Sequence, residues 1–125
     1  MEHLAAELLK GARVLVVEDE YYLADDLVMA LREAGAEPVG PFASIAQAEE
    51  VLGEGSVDAA IVDMNLRGEM TFDFVAGLCS KVPCVVVSGY TAEALPESVA
   101  NLCRLEKPVD PKKVLAELSR QMRRG

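Results

Sequence analysis

The sequence predicts an α/β fold, a five-stranded doubly wound parallel sheet with helices on both faces. Three observations carry that expectation. Val14–Val17, Ala59–Val62 and Cys84–Val87 are apolar without a break, the pattern of strands covered on both faces rather than the alternation of half-exposed ones. Stretches with apolar residues three and four apart follow these runs, so β and α segments alternate five times along the chain. The strand-like runs then finish in polar residues: Glu18 and Asp19, Asp63, Ser88, and Lys107.

The elements follow in order. His3 to Lys10 has helical spacing, with Leu4, Ala5, Leu8 and Leu9 on one face, and makes residues 1–12 an N-terminal extension. Arg13 to Val17 is the first strand. Tyr21 to Ala34 is a helix whose buried stripe is Leu23, Leu27, Ala30, Leu31 and Ala34, stopped by Gly35. Glu20 suits the start of that helix, where the dipole favours an acid. A second apolar stripe, Tyr21, Ala24 and Val28, reads as a docking face for a partner helix. Glu37 to Phe42 is a strand confined to an edge by Pro38 and Pro41. Ser44 caps Ile45 to Leu52, and Gly53 and Gly55 end it. Ala59 to Asp63 is the central strand, Phe72 to Cys79 a helix, and Cys84 to Ser88 the fourth strand. Pro96 to Leu102 holds only a short helix. Cys103 to Lys107 is the last strand, and Asp110 caps a helix from Pro111 to Met122. Right-handed crossovers then require a parallel sheet. The strand order 2-1-3-4-5 is taken by analogy with flavodoxin-like sheets and is not read from the residues.

Composition narrows the function classes. A chain of 125 residues suits one domain, 1–125. A net charge of −9 gives no basic face for nucleic acid. No apolar run is long enough for a membrane span, and residues 1–10 lack the pattern of a signal peptide. The 3 cysteines, Cys79, Cys84 and Cys103, fit no metal spacing and read as reduced, buried thiols of a cytoplasmic protein.

In a parallel sheet all carboxyl ends lie along one edge. That edge would gather Glu18, Asp19, Asp63, Ser88 and Lys107. Three acids so close do not all stay ionised without a cation, and a hard divalent ion such as Mg²⁺ answers the need with oxygen ligands.

These residues, the acidic pair Glu18-Asp19, Asp63, Ser88-Gly89 and Lys107-Pro108, resemble in order and spacing the receiver domains of two-component response regulators, over Arg13 to Met122. The resemblance implies phosphoryl transfer from a histidine kinase or a histidine phosphotransfer protein to Asp63. It implies Mg²⁺ held by Asp19, Asp63 and the Asn65 carbonyl, with Glu18 acting through a water. Ser88 and Lys107 would bind the phosphoryl oxygens. Two departures stand out. Arg104 occupies the place where many receivers carry a switch Tyr or Phe, which leaves Tyr90 beside Ser88 as the aromatic switch candidate. Arg67 stands where many carry a proline. The runs Asp63 to Glu69 and Leu95 to Glu97 are similar to a stand-alone alphaproteobacterial subgroup called FAT GUY, some of whose members serve stress-response phosphorelays. Here Val86-Val87-Ser88-Gly89-Tyr90 stands in place of the subgroup's Phe-Ala-Thr-Gly motif. Two other classes fit parts of the pattern. One is a pseudo-receiver that binds without being phosphorylated. The other is a Mg²⁺-dependent phosphatase with an aspartyl intermediate, although that class carries Asp-x-Asp where this chain has Glu18-Asp19-Glu20.

Overall fold

The computed structural model describes residues 7–66, 69–89 and 95–124. After a helical segment at 7–9, the elements are β1 (Arg13–Val17), α1 (Tyr21–Glu33), β2 (Glu37–Phe42), α2 (Ile45–Glu54), β3 (Ala59–Asp63), β4 (Asn65–Leu66), β5 (Glu69–Met70), α3 (Phe72–Cys79), β6 (Cys84–Ser88), α4 (Glu97–Ala100), β7 (Arg104–Glu106) and α5 (Pro111–Arg124). The main sheet runs β2-β1-β3-β6-β7 and every pairing in it is parallel. Counted along that sheet alone, this is the order 2-1-3-4-5.

Strand residues alternate between two cores because successive side chains point to opposite faces. Val14, Val16, Ile61, Val85 and Val87 meet Leu27 and Leu31 of α1 and Val114 and Leu118 of α5. Leu15, Val17, Val62 and Val86 meet Ala48 of α2, Val75 and Leu78 of α3, and Val99 of α4. Both β3 and β6 are buried along their whole length, as their unbroken apolar runs require. Leu9 and Ala12 are buried in the first core, so residues 7–12 are packed against it.

Four details differ from the sequence reading. Ala24 and Val28, expected on an exposed docking stripe, are only 4% and 5% exposed. The cause is that α1 packs against β1, β2 and α5 together, so its buried arc is wider than one stripe. Tyr21 does lie on the surface, beside Tyr22. A two-stranded antiparallel ladder, Asn65 with Met70 and Leu66 with Glu69, follows the central strand directly. Helices α2 and α5 run on to Glu54 and Arg124. All three cysteines are free, but only Cys84 is buried.

Edge strand β2 carries an irregularity that reaches the site. Leu15 pairs with Val39 and Val17 with Phe42, so Gly40 and Pro41 pass opposite the single residue Val16. The Gly40–Pro41 peptide is cis, and Gly40 has φ +114. A Cβ there would lie 2.7 Å from the Val16 carbonyl oxygen and 2.9 Å from the Phe42 nitrogen. The bulge brings the Phe42 carbonyl to 2.9 Å from the Glu18 amide, which donates to it. Gly40→Ala is therefore expected to lower unfolding free energy by about 2–3 kcal/mol in urea titrations, through positive-φ strain and the clash. A change under about 0.5 kcal/mol would contradict this account.

Candidate acidic site at the carboxyl edge of the sheet

Strand β1 ends one residue before Glu18, and β3 ends at Asp63. These strands are direct neighbours, with Val17 opposite Val62, so the two carboxyls meet at the same edge. Carboxylate oxygens of Glu18, Asp19 and Asp63 all lie within 4.8 Å of one another. Glu18 is 3% and Asp63 4% exposed, and Asp19 is half-buried.

Local hydrogen bonds aim these groups. Asp63 Oδ1 accepts the Asn65 amide at 2.9 Å, and Oδ2 accepts Lys107 Nζ at 2.7 Å. Glu18 Oε2 accepts the Glu20 amide at 3.0 Å. Lys107 lies just past β7, and its amide donates to the Ser88 carbonyl at 2.8 Å. The Lys107–Pro108 peptide is cis. Ser88 is fully buried at the end of β6, one residue past the position paired with Asp63. Thr71 is 1% exposed, and its hydroxyl donates to the Met64 carbonyl at 2.6 Å, with the Asp63 carbonyl at 3.3 Å. It sits at the start of α3 but does not cap the helix with its side chain. It ties down the backbone on either side of the Asp63–Met64 peptide instead.

The electrostatics are unbalanced. Lys107 Nζ lies 2.6 Å from Glu20 Oε2, 2.7 Å from Asp63 Oδ2 and 3.4 Å from Glu18. Burial acts to lower the Lys107 pKa, but the hydrogen bonds to Asp63 and Glu20, with the charges of Glu18 and Asp63, outweigh it and raise the pKa above the usual lysine value. The ammonium therefore stays charged. Burial first, and then a hydrogen bond with Asp63, push the Glu18 carboxyl up to about 8. Among the described residues no donor reaches the buried Glu18 Oε1 with hydrogen-bond geometry, and the Lys107 ammonium lies 3.4 Å away. An unbonded buried carboxylate oxygen beside two further acids is a donor set for a hard cation with oxygen ligands, Mg²⁺ or Ca²⁺.

The structure therefore brings together Glu18, Asp19, Asp63, Asn65, Ser88 and Lys107. Arg104 is half-buried at the start of β7 opposite Val86, while Tyr90 and Arg67 lie outside the described residues. A groove between α2 and α3 contains none of the acidic cluster. Sequence reasoning missed Thr71, and it missed that Glu20 reaches Lys107. Neither contact leaves a spacing signal, because each depends on how distant segments meet.

No protein-family model and no curated protein matches the sequence. Solved structures do. SdrG from Sphingomonas melonis Fr1 is 31% identical over 86% of this chain and 96% of its own, with a TM-score of 0.70. The receiver domain of the PhyR response regulator from Erythrobacter litoralis is 24% identical over 91% of this chain and 92% of its own, with a TM-score of 0.75. A Burkholderia pseudomallei response regulator, solved with a phosphorylated aspartic acid, calcium ion and citrate, is 21% identical over 90% of this chain and 69% of its own, with a TM-score of 0.75. The last two, under 25% identical, bear on the fold alone.

The Glu18 shift sets a pH dependence. A carboxyl raised from 4.5 to about 8 binds its proton more tightly in the folded chain than in the unfolded one. Its stabilising effect is complete below pH 4.5 and is lost as pH rises through about 8. In chelator, the denaturation midpoint should fall between pH 5 and pH 8, and Glu18→Gln should flatten that slope. An identical slope in both proteins would remove the assignment to Glu18.

Proposed function

We propose that this chain, which belongs to the receiver domains of response regulators, takes a phosphoryl group onto Asp63 from a phosphohistidine. The observation that carries the reading is the setting of Asp63. It is a buried carboxyl at a strand end, with one oxygen held by a backbone amide and the other by a charged lysine, beside two more acids.

Phosphoryl transfer has a loose transition state with its charge spread over equatorial oxygens, so alignment and neutralisation do most of the catalysis. Asp63 is the nucleophile: the bond from its oxygen to phosphorus forms as the bond from phosphorus to the donor imidazole nitrogen breaks. Asp19, Asp63 and the Asn65 carbonyl, with Glu18 through a water, are the groups that would hold Mg²⁺, which supplies positive charge against the phosphoryl oxygens. Lys107 supplies a second positive charge from the opposite carboxylate oxygen, and the Ser88 hydroxyl supplies a neutral donor. The Asn65 amide and the Thr71 hydroxyl keep the acceptor in place during attack.

Output follows as a population shift. The aspartyl phosphate adds charge beside buried Ser88, and the conformers populated at the end of β6 would shift with it. Going from 1:99 to 99:1 requires roughly 5.5 kcal/mol of differential stabilisation. Charge-assisted hydrogen bonds from Lys107 and Ser88 would supply part of that. Arg104, at the start of β7 and three residues before Lys107, is the remaining switch candidate. The partner that presents the phosphohistidine would approach over the N-terminal end of α1, where Tyr21 and Tyr22 are 76% and 81% exposed and stack edge to face. A stress-response relay is the pathway that the subgroup resemblance supports.

Two experiments test this. Incubation with Mg²⁺ and acetyl phosphate should add one phosphoryl mass to the wild type and none to Asp63→Ala, read by intact mass. Lys107→Ala should label at least about tenfold more slowly, the scale of losing one transition-state charge partner. No adduct together with no Mg²⁺ binding would favour a non-phosphorylated binding module. Tyr21→Ala should slow transfer from a phosphorylated histidine protein several-fold while leaving labelling by acetyl phosphate unchanged. Equal rates from the protein donor would remove Tyr21 from the docking surface.

A further inference from the structure

We infer that Glu20 is a positioning residue that latches Lys107 in the resting site and must let go when the phosphoryl group arrives; this rests on the reading of Asp63 as acceptor. Glu20 occupies the N-cap position of α1, where a short polar side chain normally accepts an amide of the first turn. Its side chain makes no such bond. It extends instead to an ammonium 87 residues away in sequence and binds it at 2.6 Å. The helix end is thus left without its side-chain cap, while the lysine gains a third carboxylate.

An ammonium has three N–H donors. Lys107 Nζ already donates to Glu20 at 2.6 Å, to Asp63 at 2.7 Å and to Glu18 Oε2 at 3.4 Å, so a phosphoryl oxygen can bind it only by displacing one. Asp63 is the residue being phosphorylated. Glu18 is 3% exposed and fixed by the Glu20 amide. The Glu20 side chain is 61% exposed and beside a cleft lined by Leu23, Asp26, Lys107 and Val109. It is the partner that can swing into water at small cost, so Glu20 and the phosphoryl group compete for the same donor. The latch keeps the resting lysine aimed at Asp63 and lowers the affinity of the site for a phosphoryl group.

The test uses the full chain with Mg²⁺. Glu20→Gln keeps the side chain's length and removes its charge. Asp26→Asn, an acid of the same cleft that is not among the three bound to Lys107, removes the same charge from nearby. Beryllofluoride, a phosphoryl mimic, is titrated calorimetrically, Mg²⁺ binding is measured alone, and Asp63 labelling by acetyl phosphate is followed by intact mass. Glu20→Gln should tighten beryllofluoride binding and speed labelling by about two- to fivefold, the scale of one exposed ion pair. Asp26→Asn should change both by less than about 1.5-fold, and the two variants should bind Mg²⁺ alone equally well. Equal effects of the two variants on beryllofluoride would reduce Glu20 to general charge repulsion and overturn the latch. An unchanged Glu20→Gln beside a wild type that labels would overturn it too, with Asp63 still the acceptor. A wild type that neither labels nor binds beryllofluoride would bring down the acceptor reading itself, and the latch with it.

Discussion

The half-buried contact between Lys107 and Asp63, 2.7 Å from nitrogen to oxygen, is the interaction on which the site depends. It links the last strand to the central one, and it is the positive charge placed among the carboxyls of Glu18, Asp19, Glu20 and Asp63. Removing Lys107 takes the ammonium partner from the buried Asp63 carboxyl, which is destabilising. The pair is nonetheless weak evidence for a stabilised fold, because both groups lost water to form it. Stability comes from the valine-rich strands on either side, β1, β3 and β6, which bury nearly every side chain. That rigid apolar slab lets a charged edge persist.

The acid surplus gives the site its chemistry. Among the described residues one ammonium faces four carboxyls, and the Glu18 carboxyl is pushed up to about 8. A proton is an adjustable answer: a divalent cation can replace it, and the oxygen of Glu18 left without a hydrogen bond is where the unmet demand is visible. The same imbalance explains why the surroundings are so well tied down. The Asn65 amide holds the Asp63 carboxyl itself, while the Thr71 hydroxyl and the bulge of β2 hold backbone next to Asp63 and at Glu18.

Much of this was legible in the sequence, for an identifiable reason. Strands covered on both faces must be apolar at every position, so Val14–Val17, Ala59–Val62 and Cys84–Val87 announce themselves, and a polar residue ending each run has few places to go except the sheet edge. Asp63 and Lys107 could be named on that basis. Their roles came from resemblance, and the strand order came from analogy. The width of the buried arc of α1 was not legible. Periodicity finds the deepest stripe, Leu27 and Leu31, but Ala24 and Val28 are buried because the helix packs against β1, β2 and α5 together, and that is a tertiary fact. The ladder β4–β5 escaped notice because two-residue strands have no pattern.

Glu20 shows how a local rule can be outbid. An acid at the start of a helix is adequately explained by the dipole, and that reading needs no distant partner. In the folded chain the carboxylate faces two offers: the partial charge of the helix end, and a full positive charge on Lys107 at 2.6 Å. The helix end offers a partial charge and the ammonium a full one, and the carboxylate pairs with the lysine. The bond also lies at the mouth of the site, where water can take over either partner with little loss. An exposed pair of this kind contributes little to stability. Its significance is that it occupies a donor which the buried groups, Asp63 and Glu18, leave as the one easily freed position on Lys107.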